Sequence, residues 1–244
     1  MEPTVIVYIF LSYAAAGYIK GMSGLGFSTV CVGIMASFLE LTTAIPLVVI
    51  PSIASCLLVM IEAGHFREAV QRFAVMYLFT VPGLLVGLWL LVNTEGNLAK
   101  YVLGVVLALY GVWGLLNPTF ELPNSVARKL RGPTGVLTGT IHGLTGAAVM
   151  PMVPYLLSLR LRNDMFVQAV NISFVMSSVI VILALGQLGY VSLYLLAISI
   201  AGIVPVSLAV RLGVLAQRRL SANQFRTVIL AVLIGLGVNL ILFA

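Results

Sequence analysis

Apolar residues in this chain come in long blocks, and polar residues fall in short gaps between them. The first block, Thr4 to Ile19, meets Lys20-Gly21-Met22-Ser23-Gly24-Leu25-Gly26, where closely spaced glycines predict that a helix ends or unwinds. The next block, Thr29 to Leu39, would extend only about 16 Å as a helix, roughly half a bilayer. The pair predicts a hairpin of two half-helices that turns at the glycines and returns to the face it left. Ala44 to Ile61, Phe73 to Val92 and Tyr101 to Leu116 then read as crossings, with kinks expected at Pro46, Pro51 and Pro82.

After a polar stretch, Asn117 to Gly132, the plan recurs. Gly135 to Ile141 runs into a second break, His142-Gly143-Leu144-Thr145-Gly146-Ala147-Ala148, and a short apolar piece with Pro151 and Pro154 ends at Leu159. Asp164 to Leu185, Tyr190 to Val210 and Phe225 to Phe243 read as three further crossings. Gly17 and Gly21 align with Gly135 and Gly139, and Gly24-Leu25 with Gly143-Leu144. Pro82 aligns with Pro205, and Tyr101 and Gly111 with Phe225 and Gly235. The offset drifts slowly in one direction, as small loop insertions would produce. The expected architecture is an all-α polytopic membrane protein of two inverted-topology repeats. Residues 1–116 form the first, 117–132 a cytoplasmic linker and 133–244 the second, each repeat being a broken-helix hairpin plus three transmembrane helices.

Composition makes lipid the solvent. Of 244 residues, 61% are hydrophobic and 8% charged, with a mean hydropathy of +1.15. A soluble domain carries about 25% charged residues, so this chain cannot cover itself with polar groups in water. The crossings consume its length and leave no room for a soluble catalytic domain. The N-terminal segment begins with Glu2 rather than a basic cluster and is expected to be a retained membrane segment, not a signal peptide. Cys31 and Cys56 stand in apolar surroundings and are expected to act as small buried hydrophobes.

The net charge of +6 does not point to nucleic acid, because the basic residues sit between apolar blocks. With the N-terminus on one side, an odd number of crossings per half places every lysine and arginine except Lys20 and Lys100 on the other. That face is expected to be cytoplasmic by the positive-inside rule, with both termini outside. A cell inner (plasma) membrane fits this pattern.

Inverted repeats with a broken segment early in each half are a transporter plan, with the site at the repeat interface and half-helix ends turned toward an anion. Irregular backbone at membrane depth must be buried or line a cavity. The two breaks are therefore the expected substrate site. Lys20 is costly in lipid and should face an anion or a partner, and His142, in the second break, is a candidate for proton uptake. Ser23, Gly24, Gly26, Ser28 and Thr29 in the first break, and Gly143, Thr145 and Gly146 in the second, supply hydroxyl and amide donors. Gln168 and Asn171 share a helix face and are expected to turn toward the second break. No nucleophile–base motif, phosphate loop or metal-ligand cluster is present, so neither an enzyme nor a cofactor is expected.

At these breaks the chain resembles the sulfite exporter TauE/SafE family, also called TSUP transporters. The resemblance rests on Gly17-x-x-x-Gly21-x-x-Gly24-Leu25-Gly26 and on Gly135-x-x-x-Gly139-x-x-x-Gly143-Leu144-Thr145-Gly146 followed by Pro151 and Pro154. It implies a permease or exporter for a small sulfur-containing anion such as sulfite, a sulfonate or thiosulfate. Phe27 stands where a longer glycine run is common in the family, which puts substrate transfer from other members in doubt. An anion-selective channel is the alternative, and a homo-oligomer stays open.

Overall fold

The computed structural model describes residues 2–24, 26–94, 96–116, 121–147, 149–217 and 222–243. Eleven helices form among them: α1 Pro3–Ser23, α2 Phe27–Ala36, α3 Leu41–Ala63, α4 Phe66–Asn93, α5 Gly96–Leu116, α6 Asn124–Thr145, α7 Met152–Leu157, α8 Asn163–Gln187, α9 Leu193–Ala201, α10 Ile203–Gln217 and α11 Ala222–Phe243. No strand forms among the described residues. Among the described residues, six segments are long and apolar enough to cross a membrane, one of them running through α9 and α10 from Leu193 to Ala216. The chain is a multi-pass, all-α membrane protein. Trp89, Leu78 and Leu193 point outward, as apolar side chains can where lipid replaces water.

Both short segments fold back. Helix α2 has 10 residues and α7 has 6, too few to cross. The Phe38 ring, just after α2, lies 6.0 Å from the Tyr8 ring near the start of α1. Tyr13 then donates from its hydroxyl to the Leu47 carbonyl at 2.7 Å, and Lys20 reaches Ser55, so α1 and α3 run side by side in the same sense. At the other hairpin, Tyr155 donates to the Ala127 carbonyl at 2.9 Å, and the Leu122 amide donates to the Ser158 carbonyl at 3.3 Å. Helix α7 thus returns to the start of α6.

The polar stretch expected as a linker is partly helix. Residues 117–120 lie outside the described ones, but α6 begins at Asn124 and carries Arg128, Lys129 and Arg131 in its first turns. Hydropathy marks where an apolar environment starts, whereas Ala, Arg, Lys and Leu are all good helix formers in water. The helix therefore starts before its apolar part does.

Three pairs of helices make the closest joints, α1 with α10, α4 with α6 and α5 with α11. Side-chain volume is missing from all three for the same reason; a Cβ on Gly104 would stand 2.7 Å from the Gly237 oxygen. A Cβ on Gly21 would stand 2.1 Å from the Val210 carbonyl oxygen and 3.0 Å from Gly213 Cα, and one on Gly143 would stand 2.3 Å from the Leu84 oxygen and 3.0 Å from the Gly87 carbonyl carbon. Reciprocally, Gly213 faces Tyr18 O and Met22 N, and Gly87 faces Thr140 O and Leu144 N. Backbones in direct contact exploit the small-residue packing available to helices in lipid. Gly139 meets the Thr80 oxygen as Gly143 meets the Leu84 oxygen, so the joint repeats from one glycine of α6 to the next.

Charges collect at two ends. Glu40 and Lys100 pair at 3.4 Å at one. At the other, His65 stands 3.3 Å from Asp164, which also pairs with Arg162, and Arg160 pairs with Glu121.

Candidate functional site

Each break is capped in the same way. Helix α1 ends when Gly24 enters the left-handed region at φ 76° and its amide donates to the Lys20 carbonyl at 2.7 Å. Helix α6 ends when Gly146, at φ 74°, donates to the His142 carbonyl at 2.8 Å. Left-handed backbone costs other L-residues about 1–2 kcal/mol, which is why glycine holds these caps. Lys20 and His142 therefore occupy the same station, in the last turn of a helix whose carbonyl end favours positive charge.

Lys20 is 1% exposed. Its Nζ donates to Ser55 Oγ at 3.1 Å, to Cys56 Sγ at 3.1 Å and to Asn171 Oδ1 at 3.4 Å. The last partner is held in place, since Asn171 Nδ2 donates to the Val167 carbonyl at 2.8 Å. Ser55 in turn donates to the Ser52 carbonyl at 2.8 Å. All these partners are neutral, and no carboxylate pairs with Lys20 among the described residues. A buried ammonium solvated only by a hydroxyl, a thiol and an amide retains most of its cost of transfer from water.

Open space lies above the first break. A Cβ built on Gly24 or on Gly26, whose φ is 87°, would meet nothing within 4 Å. Helix α2 starts there at Phe27, and Gly26 at its N-cap offers no side-chain acceptor to the first amides. Thr29, 1% exposed, leaves its Oγ1 without a partner. Ser28 spans to the second break, donating from its hydroxyl to the Gly146 carbonyl at 2.7 Å. The two breaks are therefore neighbours in space.

The remaining expected residues divide. His142 is 5% exposed and its Nδ1 has no partner. Thr145 donates to the Ile141 carbonyl at 2.6 Å and accepts from the Ala147 amide at 3.2 Å, so its hydroxyl proton serves the helix end. Gly143 belongs to the α4–α6 joint. Gln168 turns its amide nitrogen to the Gly64 and Met60 carbonyls, at 3.1 Å each, and closes the end of α3. The side chain of Ser23 lies outside the described ones. Sequence reasoning missed Ser55 and Cys56 as partners of Lys20. The available signal was Ser52 and Ser55, polar at i and i+3 in the apolar middle of α3. Thr138, Ser173 and Ser177 also carry buried hydroxyls without partners.

The model of the family described as "Sulfite exporter TauE/SafE" matches residues 9–240. The chain belongs to that family. No curated protein and no solved structure matches it. As a TauE/SafE protein it is a membrane transporter, and membership implies sulfite or a related sulfur anion as its cargo. For such a cargo, the paired breaks, with open space at Gly24 and Gly26 and a buried lysine that pairs with no carboxylate among the described residues, are the chemically apt part of the molecule.

Proposed function

We propose that this TauE/SafE protein is a secondary transporter that moves a small sulfur-containing oxyanion through the paired breaks, with Lys20 supplying the counter-charge. The observation that carries this reading is the burial of Lys20 with no carboxylate partner among the described residues. An anion arriving beside it offsets a desolvation cost already incurred in the empty protein. The uncapped first turn of α2 and the free Thr29 hydroxyl supply further donors. Of the residues expected from sequence, we assign substrate contact to Lys20, Gly24, Gly26, Ser28, Thr29 and Asn171, and proton uptake to His142. Residues 1–116 and the segment from α6 onward form two inverted repeats, a reading supported by the recurring glycine joint. The basic end faces the cytoplasm of a cell inner membrane, and both termini lie outside.

Sulfite flux into proteoliposomes tests the assignment. Lys20→Met is expected to lower flux by at least about tenfold, the loss of roughly 1.4 kcal/mol of differential binding, while the purified variant elutes as the wild type does. Undiminished flux in that variant would remove Lys20 from the path. In the same assay His142→Gln should flatten the dependence of flux on an imposed pH gradient; an unchanged dependence rejects His142 as the proton-linked group.

A further inference from the structure

At the basic end, well away from the breaks, lies a cavity of about 550 Å³. Four arginines line it: Arg72 from α4, Arg128 and Arg131 from α6, and Arg160 from the turn after α7. Among the described residues, Glu121 is the one carboxylate in its wall, and it pairs with Arg160. The other three guanidinium groups form no ion pair among the described residues. Arg131 lines the cavity beside Tyr155, and its Nε is buried without a partner. Tyr155 is itself anchored, donating to the Ala127 carbonyl. A buried guanidinium N–H left unbonded costs free energy, and gathering like charges around one cavity adds repulsion. Both costs fall when an oxyanion enters, because guanidinium forks match oxyanions with two parallel hydrogen bonds.

Depth separates this cavity from the breaks. From Arg131 to His142 along α6 is about 16 Å of helix. The two places are thus separate, and this inference does not rest on the assignment of Lys20.

We propose that the arginine cavity is a second anion site, built for a phosphate- or sulfate-like oxyanion at the basic face. Two sources present that chemistry: a free oxyanion in solution and the phosphate of an anionic lipid headgroup. Basic pockets between transmembrane helices suit the second, and the gathered charge concentrates the first.

The experiment has two arms on the full-length protein in detergent. In the first, inorganic sulfate is titrated against a chloride control of equal ionic strength, and thermal stabilisation is recorded. In the second, native mass spectrometry counts phosphatidylglycerol retained against phosphatidylcholine. The variants are Arg128→Gln with Arg131→Gln, Glu121→Gln, and Lys20→Met. The double variant is expected to weaken binding about tenfold or more in at least one arm, as expected for losing charge-assisted hydrogen bonds. Glu121→Gln frees Arg160 and should tighten the same ligand several-fold, a gain that misfolding does not produce. Both arms are also read in the Lys20→Met background, so that sulfate held at the breaks does not contribute. Sulfate dependence identifies a soluble anion and lipid dependence identifies a headgroup. Binding that ignores both the arginine and the Glu121 changes, or that disappears with Lys20→Met, overturns the proposal.

Discussion

Cys56 shows how much one side chain's role depends on its neighbours. In the sequence it is one small apolar residue in a long apolar block. In the fold its sulfur stands 3.1 Å from the Lys20 ammonium. If the sulfur acts as an acceptor for that charge, Cys56→Ser should preserve sulfite flux and stability, because a hydroxyl accepts at least as well. Cys56→Leu removes the acceptor and should cost about 1–3 kcal/mol, seen as a lower denaturation midpoint in detergent. Equal midpoints for the two variants would reduce Cys56 to packing. The cost of burying Lys20 was legible in the sequence, since a lysine ending an apolar block has few options. Its partners were not, because Asn171 is distant in sequence and meets Lys20 only through the packing of α3 on α8.

Among the helices, glycine does two different jobs within a few residues. Gly24 provides a backbone conformation and has room above it; Gly143 provides thinness and has none. Gly24→Asn should therefore cost about 1 kcal/mol or less, since Asn tolerates left-handed backbone. Gly143→Ala pushes a methyl into the Leu84 carbonyl and should cost about 1–3 kcal/mol. Thermal denaturation of the two purified variants distinguishes the roles, and a reversed order would contradict them. Gly135, Gly139 and Gly143 are four apart, and each meets a carbonyl oxygen of α4 in the same way, so the glycine ladder alone sets no register between the two halves. The breaks and the short returning legs were legible because glycine clusters and short apolar runs are local signals; the first legs are not the expected half-helices, since α1 has 21 residues and α6 has 22. The start of α6 was not, because its first turns lie outside the apolar block.

Across the whole molecule, the charge pattern and the fold agree about which residues share an end. His65, Glu121, Arg160, Arg162 and Asp164 meet at one, and Glu40 meets Lys100 at the other. A single cysteine replacing Ser125, in a variant lacking Cys31 and Cys56, should react with a membrane-impermeant maleimide only when the cytoplasmic face is opened. Labelling of intact cells would reverse the orientation.

The glycine joints also bear on how such a molecule can move. Where two helices touch main chain to main chain, no layer of flexible side chains is left to shear, so α1 with α10 and α4 with α6 each behave as a welded pair. Each weld ties an early helix of one half to a late helix of the other. Rearrangement around the breaks must then be taken up at the seams between the welds, and the slender Ser28–Gly146 link is the first connection such a motion would stretch.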